Sequence, residues 1–380
     1  MNLGIDVRPL MTPHLTGVGE YTYELLSAVF SASSEEDEFF LLYNGQKKST
    51  HYIPAWENPH VHYAGTRWPN KLFNVSTFFT QRPFLSASIS SQRPLDLVFL
   101  PNLNFTALPK GLPYILTIHD LSFFLFPKFF SAKQRWWHNL VRPEHLIRGA
   151  HRIITPSYNT RRDVIEEFGI SEDKVLTLYP GLCSSLSLPT ESDLNRVKKK
   201  YNLPEKFVLF LGTTEPRKNI LGVVEAFTLM KKKNPQFDGI SLIIAGADGW
   251  LNKKIYSAIH RRSDIKLIGF VSAEDKAALY QCAQIFVYPS FYEGFGFPVL
   301  EAMASGTPVI TSNRSSLPEI TDGTAVLADP YCIHEITEAM ELLLTNEIAR
   351  TWYKIRGLEK AKQFSWKKTA QEFLQICRNI

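Results

Sequence analysis

The chain has 380 residues, 44% of them hydrophobic and 21% charged, which makes it too long for one compact core and too apolar to be disordered, so two domains are expected. With 42 Lys and Arg against 37 Asp and Glu the net charge is +5, too mild for the basic stripe of a nucleic-acid binder but compatible with an anionic small ligand or an anionic membrane surface. Cys183, Cys282, Cys332 and Cys377 form no C-x-x-C pair, which argues for reduced thiols and against a zinc site. The start MNLGIDVRPL lacks a basic then apolar leader pattern, and no run of about 18 apolar residues follows, so the expected location is the cytoplasm, with any membrane contact peripheral and on the cytoplasmic face.

Short apolar runs alternate with helical periodicity, which predicts parallel sheets covered on both faces. Leu3–Val7 reads as the first strand, followed by a glycine-containing loop and a helix from about Glu20, whose apolar positions Tyr21, Leu25, Ala28 and Val29 share a face. Strands are then expected at 39–43, 95–100, 114–118, 152–155 and 175–178. A polar stretch from Pro189 to Pro204, with Lys198-Lys199-Lys200, reads as a helix with loop ends. The alternation restarts with a buried strand at 207–211, a helix from Ile220 to Met230 and strands near 242–245, 265–268, 285–288, 308–311 and 325–327. The expected organisation is two Rossmann-like doubly wound units, residues 1–185 completed by a C-terminal helix at 366–380, and residues 186–365, facing a central cleft.

The most informative segment runs from Tyr288 to Gly306, YPSFYEGFGFPVLEAMASG. It follows a strand and enters a helix. Pro298 suits a first-turn position, Gly294 and Gly296 let a ligand approach the backbone, and amides at a helix start favour phosphate or sugar oxygens. Glu293 and Glu301 stand eight positions apart, one in the loop and one expected in the first helical turn. Alone, such a pair is ordinarily a solvated loop charge and a helix-terminal acid; here glycines, proline and the strand-to-helix setting accompany it. The second segment, Gly212-Thr213-Thr214-Glu215-Pro216-Arg217-Lys218-Asn219, leaves a strand for a helix and offers two cations to a diphosphate, although a basic pair at a helix start could also be merely solvated. Thr16-Gly17-Val18-Gly19 lies between the first strand and helix, where Gly17 and Gly19 either form a tight turn or set backbone amides toward phosphates; it is not the dinucleotide fingerprint. His119-Asp120 follows the strand ending at Ile118, at the carboxyl edge of a parallel sheet where ligands bind.

The Glu293–Glu301 run resembles the E-x7-E signature of retaining glycosyltransferases of family 4 with the GT-B fold, and segments at 155–160, 179–181 and 364–366 match more loosely. The resemblance implies that Glu293 contacts the donor sugar near the reacting centre, that Gly294, Phe295 and Gly296 offer amides to its hydroxyls, and that Glu301 accepts from the ribose. It also implies diphosphate contacts from Lys218 and Arg217, a glycine-rich loop over the donor at Gly17 and Gly19, and His119 beside the donor sugar. Relatives often carry arginine directly after the first glycine, where this chain has Thr213. The implied chemistry is front-face transfer with the leaving diphosphate accepting the acceptor's proton. No cofactor is expected beyond the nucleotide-sugar co-substrate, and with no D-x-D motif no metal. The style of the motifs is closest to enzymes using GDP-mannose, with UDP- and ADP-sugars open. The acceptor is expected to be a glycan or a lipid-linked glycan. Residues 121–150 hold seven Phe or Trp, among them Trp136 and Trp137, with five Lys or Arg against the single acid Glu144; they are expected to form core-packed helices, with some aromatics facing the acceptor or a membrane. A catalytically silent sugar-nucleotide-binding subunit is the reading from another class.

Overall fold

The computed structural model describes residues 1–45, 50–89, 94–183, 186, 188–250, 253–260 and 262–380. The chain divides into two units: Met1–Leu121 with Ala132–Gly181 and Ser365–Ile380, and Ser122–Ser131 with Leu182–Phe364.

The first unit is built on β1 (Asn2–Asp6), β2 (Glu38–Asn44), β3 (Val61–Thr66), β4 (Leu97–Leu100), β5 (Tyr114–Thr117), β6 (Arg152–Thr155) and β7 (Val175–Thr177). They form one parallel sheet in the order β3-β2-β1-β4-β5-β6-β7. Its central strands are buried on both faces, so they read as near-continuous apolar runs. Edge strand β3, VHYAGT, was not expected from the sequence; its burial is broken and it mixes polar and small residues. The C-terminal helix Trp366–Arg378 packs on the helix Gly17–Ala32: Trp366 meets Tyr21 edge-on at 5.5 Å between ring centroids, and Phe373 meets Phe99 at 4.6 Å.

The second unit carries β8 (Phe207–Leu211), β9 (Ser241–Ala245), β10 (Ile265–Gly269), β11 (Ile285–Tyr288), β12 (Val309–Ser312) and β13 (Val326–Ala328). The parallel order is β10-β9-β8-β11-β12-β13. The chain therefore winds outward from β8 and restarts on its other side at β11, so the loops leaving β8 and β11 diverge at a topological switch point, where open parallel sheets bind ligands. The helix Glu191–Lys200 begins with a capping box between Thr190 and Asp193. It is braced by the fully buried Asp275, which accepts from Arg196 at 2.5 Å, Lys200 at 2.6 Å, Tyr201 Oη at 2.8 Å and Ser272 Oγ at 3.0 Å.

The division differs from expectation at its boundaries, which fall at 181/182 and 364/365 instead of 185/186 and 365/366, and within one inserted segment. Residues 122–131 belong to the second unit although the chain on both sides belongs to the first. Aromatic packing explains it: Phe129 stacks on Phe291 at 5.4 Å, Phe126 lies 5.3 Å from the Tyr292 ring, and the Trp250 indole N–H donates to the Phe129 carbonyl at 2.6 Å. Core-packed helices over 121–150 are found only in part: the helix Pro143–Gly149 buries Leu146 and Ile147, whereas the helix Ala132–Leu140 buries none of its residues.

Candidate active site

The loops after β8 and β11 lock together. Phe291 N–H donates to the Arg217 carbonyl at 2.9 Å, and Ser290 Oγ lies 3.0 Å from the same oxygen. Arg217 and Lys218 sit not in the following helix but in a single 3-10 turn, Pro216–Lys218. Asn219, at φ +58°, turns the chain into the helix Ile220–Lys233, and its side-chain amide anchors the turn to the Pro330 carbonyl at 2.7 Å.

This turn delivers both cations to one carboxylate. Glu293 Oε1 accepts from Lys218 Nζ at 2.5 Å, Ser290 Oγ at 2.7 Å and Tyr288 Oη at 3.0 Å, while Oε2 accepts from Arg217 at 3.1 Å. Arg217 extends the string to the buried Glu215 at 2.7 Å and also donates to the Tyr292 carbonyl at 2.7 Å. The four charged side chains alternate in sign and sum to zero. Burial alone would push the Glu293 carboxyl up; Arg217 and Lys218 outweigh it and hold the pKa down at about 2, so Glu293 is a permanent anion at neutral pH and not a proton donor. Burial and the adjacent carboxylate push the Tyr288 phenol well above its ordinary range.

The loop beyond Glu293 is fixed from the strand β12 side. Glu293 N–H donates to Ser315 Oγ at 3.0 Å, and Ser316 Oγ lies 2.9 and 2.8 Å from the carbonyls of Glu293 and Phe295. Gly296 is the N-cap of the helix Phe297–Ala304 at φ +109°, and a Cβ there would stand 2.6 Å from Leu317 Cδ2, so both conformation and space require glycine. Phe295 points into the core, edge-on to Phe297 and Phe364. Pro298 is the second helical residue, and Glu301 lies past the first turn, not within it as expected. Glu301 is buried and paired apart from Glu293: Lys276 Nζ approaches Oε1 at 3.2 Å and Tyr280 Oη approaches Oε2 at 3.0 Å. Beside the Pro216–Lys218 turn lies a cavity of about 960 Å³, walled by Phe129, Ile220, Ile255, Phe291 and Tyr331 with Lys253 and Lys254 among its lining.

Gly17, Gly19 and His119 belong to the first unit. Gly17 and Gly19 lie not in a loop but in the first turn of the helix Gly17–Ala32, capped by Thr16, whose Oγ1 accepts from Gly19 N at 3.4 Å. A Cβ on Gly19 would press on the Pro9 carbonyl at 3.1 Å, whereas Gly17 faces open space. His119 hydrogen-bonds through Nε2 to the Pro101 carbonyl at 2.8 Å. A carbonyl only accepts, so Nε2 carries the proton and Nδ1 of the neutral ring keeps its lone pair. Burial lowers the imidazole pKa, more than the Pro101 bond and the Asp120 charge raise it.

The sequence reading brought out Arg217, Lys218 and Glu293 but not their supports. Tyr288, Ser290 and Glu215 stand inside the quoted segments and lacked a signal of their own. Lys276 and Tyr280 are four apart on the helix Ala273–Cys282, a spacing that puts them on one face. Ser315 and Ser316 come from another loop and leave no trace in the motif. Among the described residues no group of three or more His, Cys, Asp or Glu could hold a metal ion.

Residues 16–184 match the family described as Glycosyltransferase Family 4, and residues 191–360 the family described as Glycosyl transferases group 1. The chain is 32% identical over 383 residues to O-antigen chain mannosyltransferase B of Escherichia coli, covering 96% of each protein. It is also 32% identical over 226 residues to the serotype-specific mannosyltransferase WbdA of Escherichia coli, over 58% of this chain and 28% of that protein. Among solved structures, sucrose-phosphate synthase from Thermosynechococcus elongatus superposes with a TM-score of 0.74 at 20% identity, covering 100% of this chain and 98% of the other. Anabaena HepE in complex with UDP-glucose superposes with a TM-score of 0.71 at 18% identity and full coverage of both chains.

Proposed function

Because the chain belongs to glycosyltransferase family 4 and has the GT-B fold of two Rossmann-like units, we propose that it is a retaining mannosyltransferase that takes its sugar from GDP-mannose and passes it to a growing glycan or lipid-linked glycan. The observation that carries this reading is the buried string Glu215–Arg217–Glu293–Lys218 at the switch point, supported by full-length similarity to a mannosyltransferase.

In this proposal the donor diphosphate binds at the Pro216–Lys218 turn and shares the two cations with the carboxylates. Stabilising the leaving diphosphate with preorganised Lys218 and Arg217 lowers the barrier where charge develops. Glu293, fixed as an anion, accepts hydrogen bonds from the mannosyl hydroxyls. Amides of Gly294, Phe295 and Gly296 donate to the sugar, and Glu301 takes the ribose hydroxyls. The attacking acceptor hydroxyl gives its proton to a departing diphosphate oxygen as the new glycosidic bond forms on the same face. No metal and no further cofactor takes part, and the work is done in the cytoplasm.

Two measurements test it. A thermal-shift screen with GDP-mannose, UDP-glucose, UDP-GlcNAc and ADP-glucose identifies the donor, since a ligand that binds the native state raises the melting temperature. A shift with GDP-mannose alone, weakened in Glu301→Ala, is expected. A shift with a UDP- or ADP-sugar alone replaces the donor, and binding without turnover on any glycan acceptor leaves a silent subunit. Full activity in chelator is expected; loss restored by magnesium or manganese refutes the metal-free proposal.

A further inference from the structure

The helix Asn70–Thr80 buries one face and leaves another without cover. Phe73 and Thr77 turn inward, the former beneath the Arg8 guanidinium at 5.8 Å from its ring centre. Leu72, Val75 and Phe79, spaced i, i+3 and i+7, fall on the opposite side and are 59%, 55% and 76% exposed. Trp68 stands exposed just before the helix. Three large apolar side chains on one helical stripe, continued by a tryptophan, are more than the scattered apolar residues of an ordinary surface.

The charge around the stripe has one sign. Arg67, Lys71 and Arg82 flank it, all exposed, and the sequence holds no acidic residue between Glu57 and Asp96. A second acid-free stretch, between Asp120 and Glu144, adjoins it: Arg142 lays its guanidinium over the Phe78 ring at 4.2 Å, and the helix Ala132–Leu140 just before it exposes Lys133, Arg135 and Trp136. An apolar stripe with Phe, Leu and Trp, bordered by cations alone, is the composition that lies in the interface of an anionic bilayer: the apolar side chains enter the acyl boundary while Lys and Arg meet the headgroups. A second protein copy would bring the same cations against themselves.

We propose that this face, Trp68, Leu72, Val75 and Phe79 with Arg67, Lys71 and Arg82, docks the chain on an anionic lipid bilayer. The proposal rests on the exposed face alone, so it stands or falls apart from the transfer reaction, and its test needs neither donor nor acceptor. The full chain is sedimented with vesicles of phosphatidylcholine alone and of phosphatidylcholine with phosphatidylglycerol. Wild type is expected to pellet with the anionic vesicles at low salt and to be released near ~0.5 M salt, where the Debye length shrinks to a few ångströms. Leu72→Ser/Phe79→Ser should lower the bound fraction about tenfold with little change in melting temperature, because both side chains are already mostly exposed. Should that pair fail to fold, Phe79→Ser alone serves, with a smaller loss. Arg67→Ser/Lys71→Ser/Arg82→Ser should abolish the preference for anionic vesicles. Wild type left in the supernatant with anionic vesicles overturns the proposal, as does a folded apolar variant that binds like wild type. A wild-type dimer that Phe79→Ser dissolves, without vesicle binding, would assign the face to self-association instead.

Discussion

Replacing Glu293 with glutamine removes one charge from a buried string of four and leaves Arg217 and Lys218 without their shared partner. The cost follows from the carboxyl's own titration. Its pKa lies at about 2 against an ordinary 4.5, a difference equivalent to about 3 kcal/mol in favour of the folded state at neutral pH. That agrees with the roughly 3 to 5 kcal/mol lost when one member of a buried pair is deleted. For a unit of this size it corresponds to a fall of roughly 6 to 12 °C in melting temperature. The pH dependence has a definite sign. A carboxyl with a depressed folded pKa contributes its full stability above the unfolded value of 4.5, and loses it as pH falls toward about 2. The gap between wild type and Glu293→Gln should therefore narrow from about 3 kcal/mol at pH 7 to about 2 kcal/mol near pH 3.5. Denaturant unfolding at both pH values, followed through tryptophan fluorescence, to which Trp250 and Trp352 of the second unit contribute, measures it. Inorganic pyrophosphate should in turn stabilise the glutamine variant more than wild type, since the cations are no longer neutralised. Equal stability of the two proteins at pH 7, or a gap that widens on acidification, would refute this account of the string.

Other residues give independent checks. Asp275→Asn should destabilise by about 2 kcal/mol, since the buried acid braces two helices, while leaving pyrophosphate affinity unchanged; its carboxyl is also held below the ordinary range, so the loss should shrink as pH falls. Gly296→Ala, forced to φ +109° with Leu317 in the way, should cost about 2 to 3 kcal/mol by chemical denaturation; Gly17→Ala, with open space at its Cβ, should cost under about 1 kcal/mol. In an NMR titration His119 should protonate below 6.5 and show the Nε2–H tautomer at pH 7; a midpoint above 6.5 would contradict its desolvated setting.

The fold was legible where the physics is local or strongly periodic. Strand β8, FVLFL, is buried at every position, and a run of that kind has no solvent face to obscure it. Edge strand β3 was hidden because one side of it needs no apolar residues. The start of the first helix was placed three residues late, since Gly17 and Gly19 argue for a loop by propensity while the Thr16 cap and the packing of Gly19 against Pro9 decide for a helix. In the candidate site, Glu293, Arg217 and Lys218 could be found from their segments. Their mutual ion pairing could not, because 75 residues separate Lys218 from Glu293 and only the adjacency of β8 and β11 brings the loops together. The exposed stripe at Leu72, Val75 and Phe79 was also silent in sequence, where an apolar helical face reads as core until the packing leaves it uncovered.

The assignment of Ser122–Ser131 to the second unit means that the chain crosses between units four times, near residues 121, 131, 181 and 364. Neither unit is a contiguous stretch, so no single splice exchanges one for a relative's. A second half expressed from residue 182 would lack the Phe129 ring that stacks on Phe291 and the carbonyl that receives the Trp250 indole. A working chimera has to carry the ten-residue loan along with its borrower.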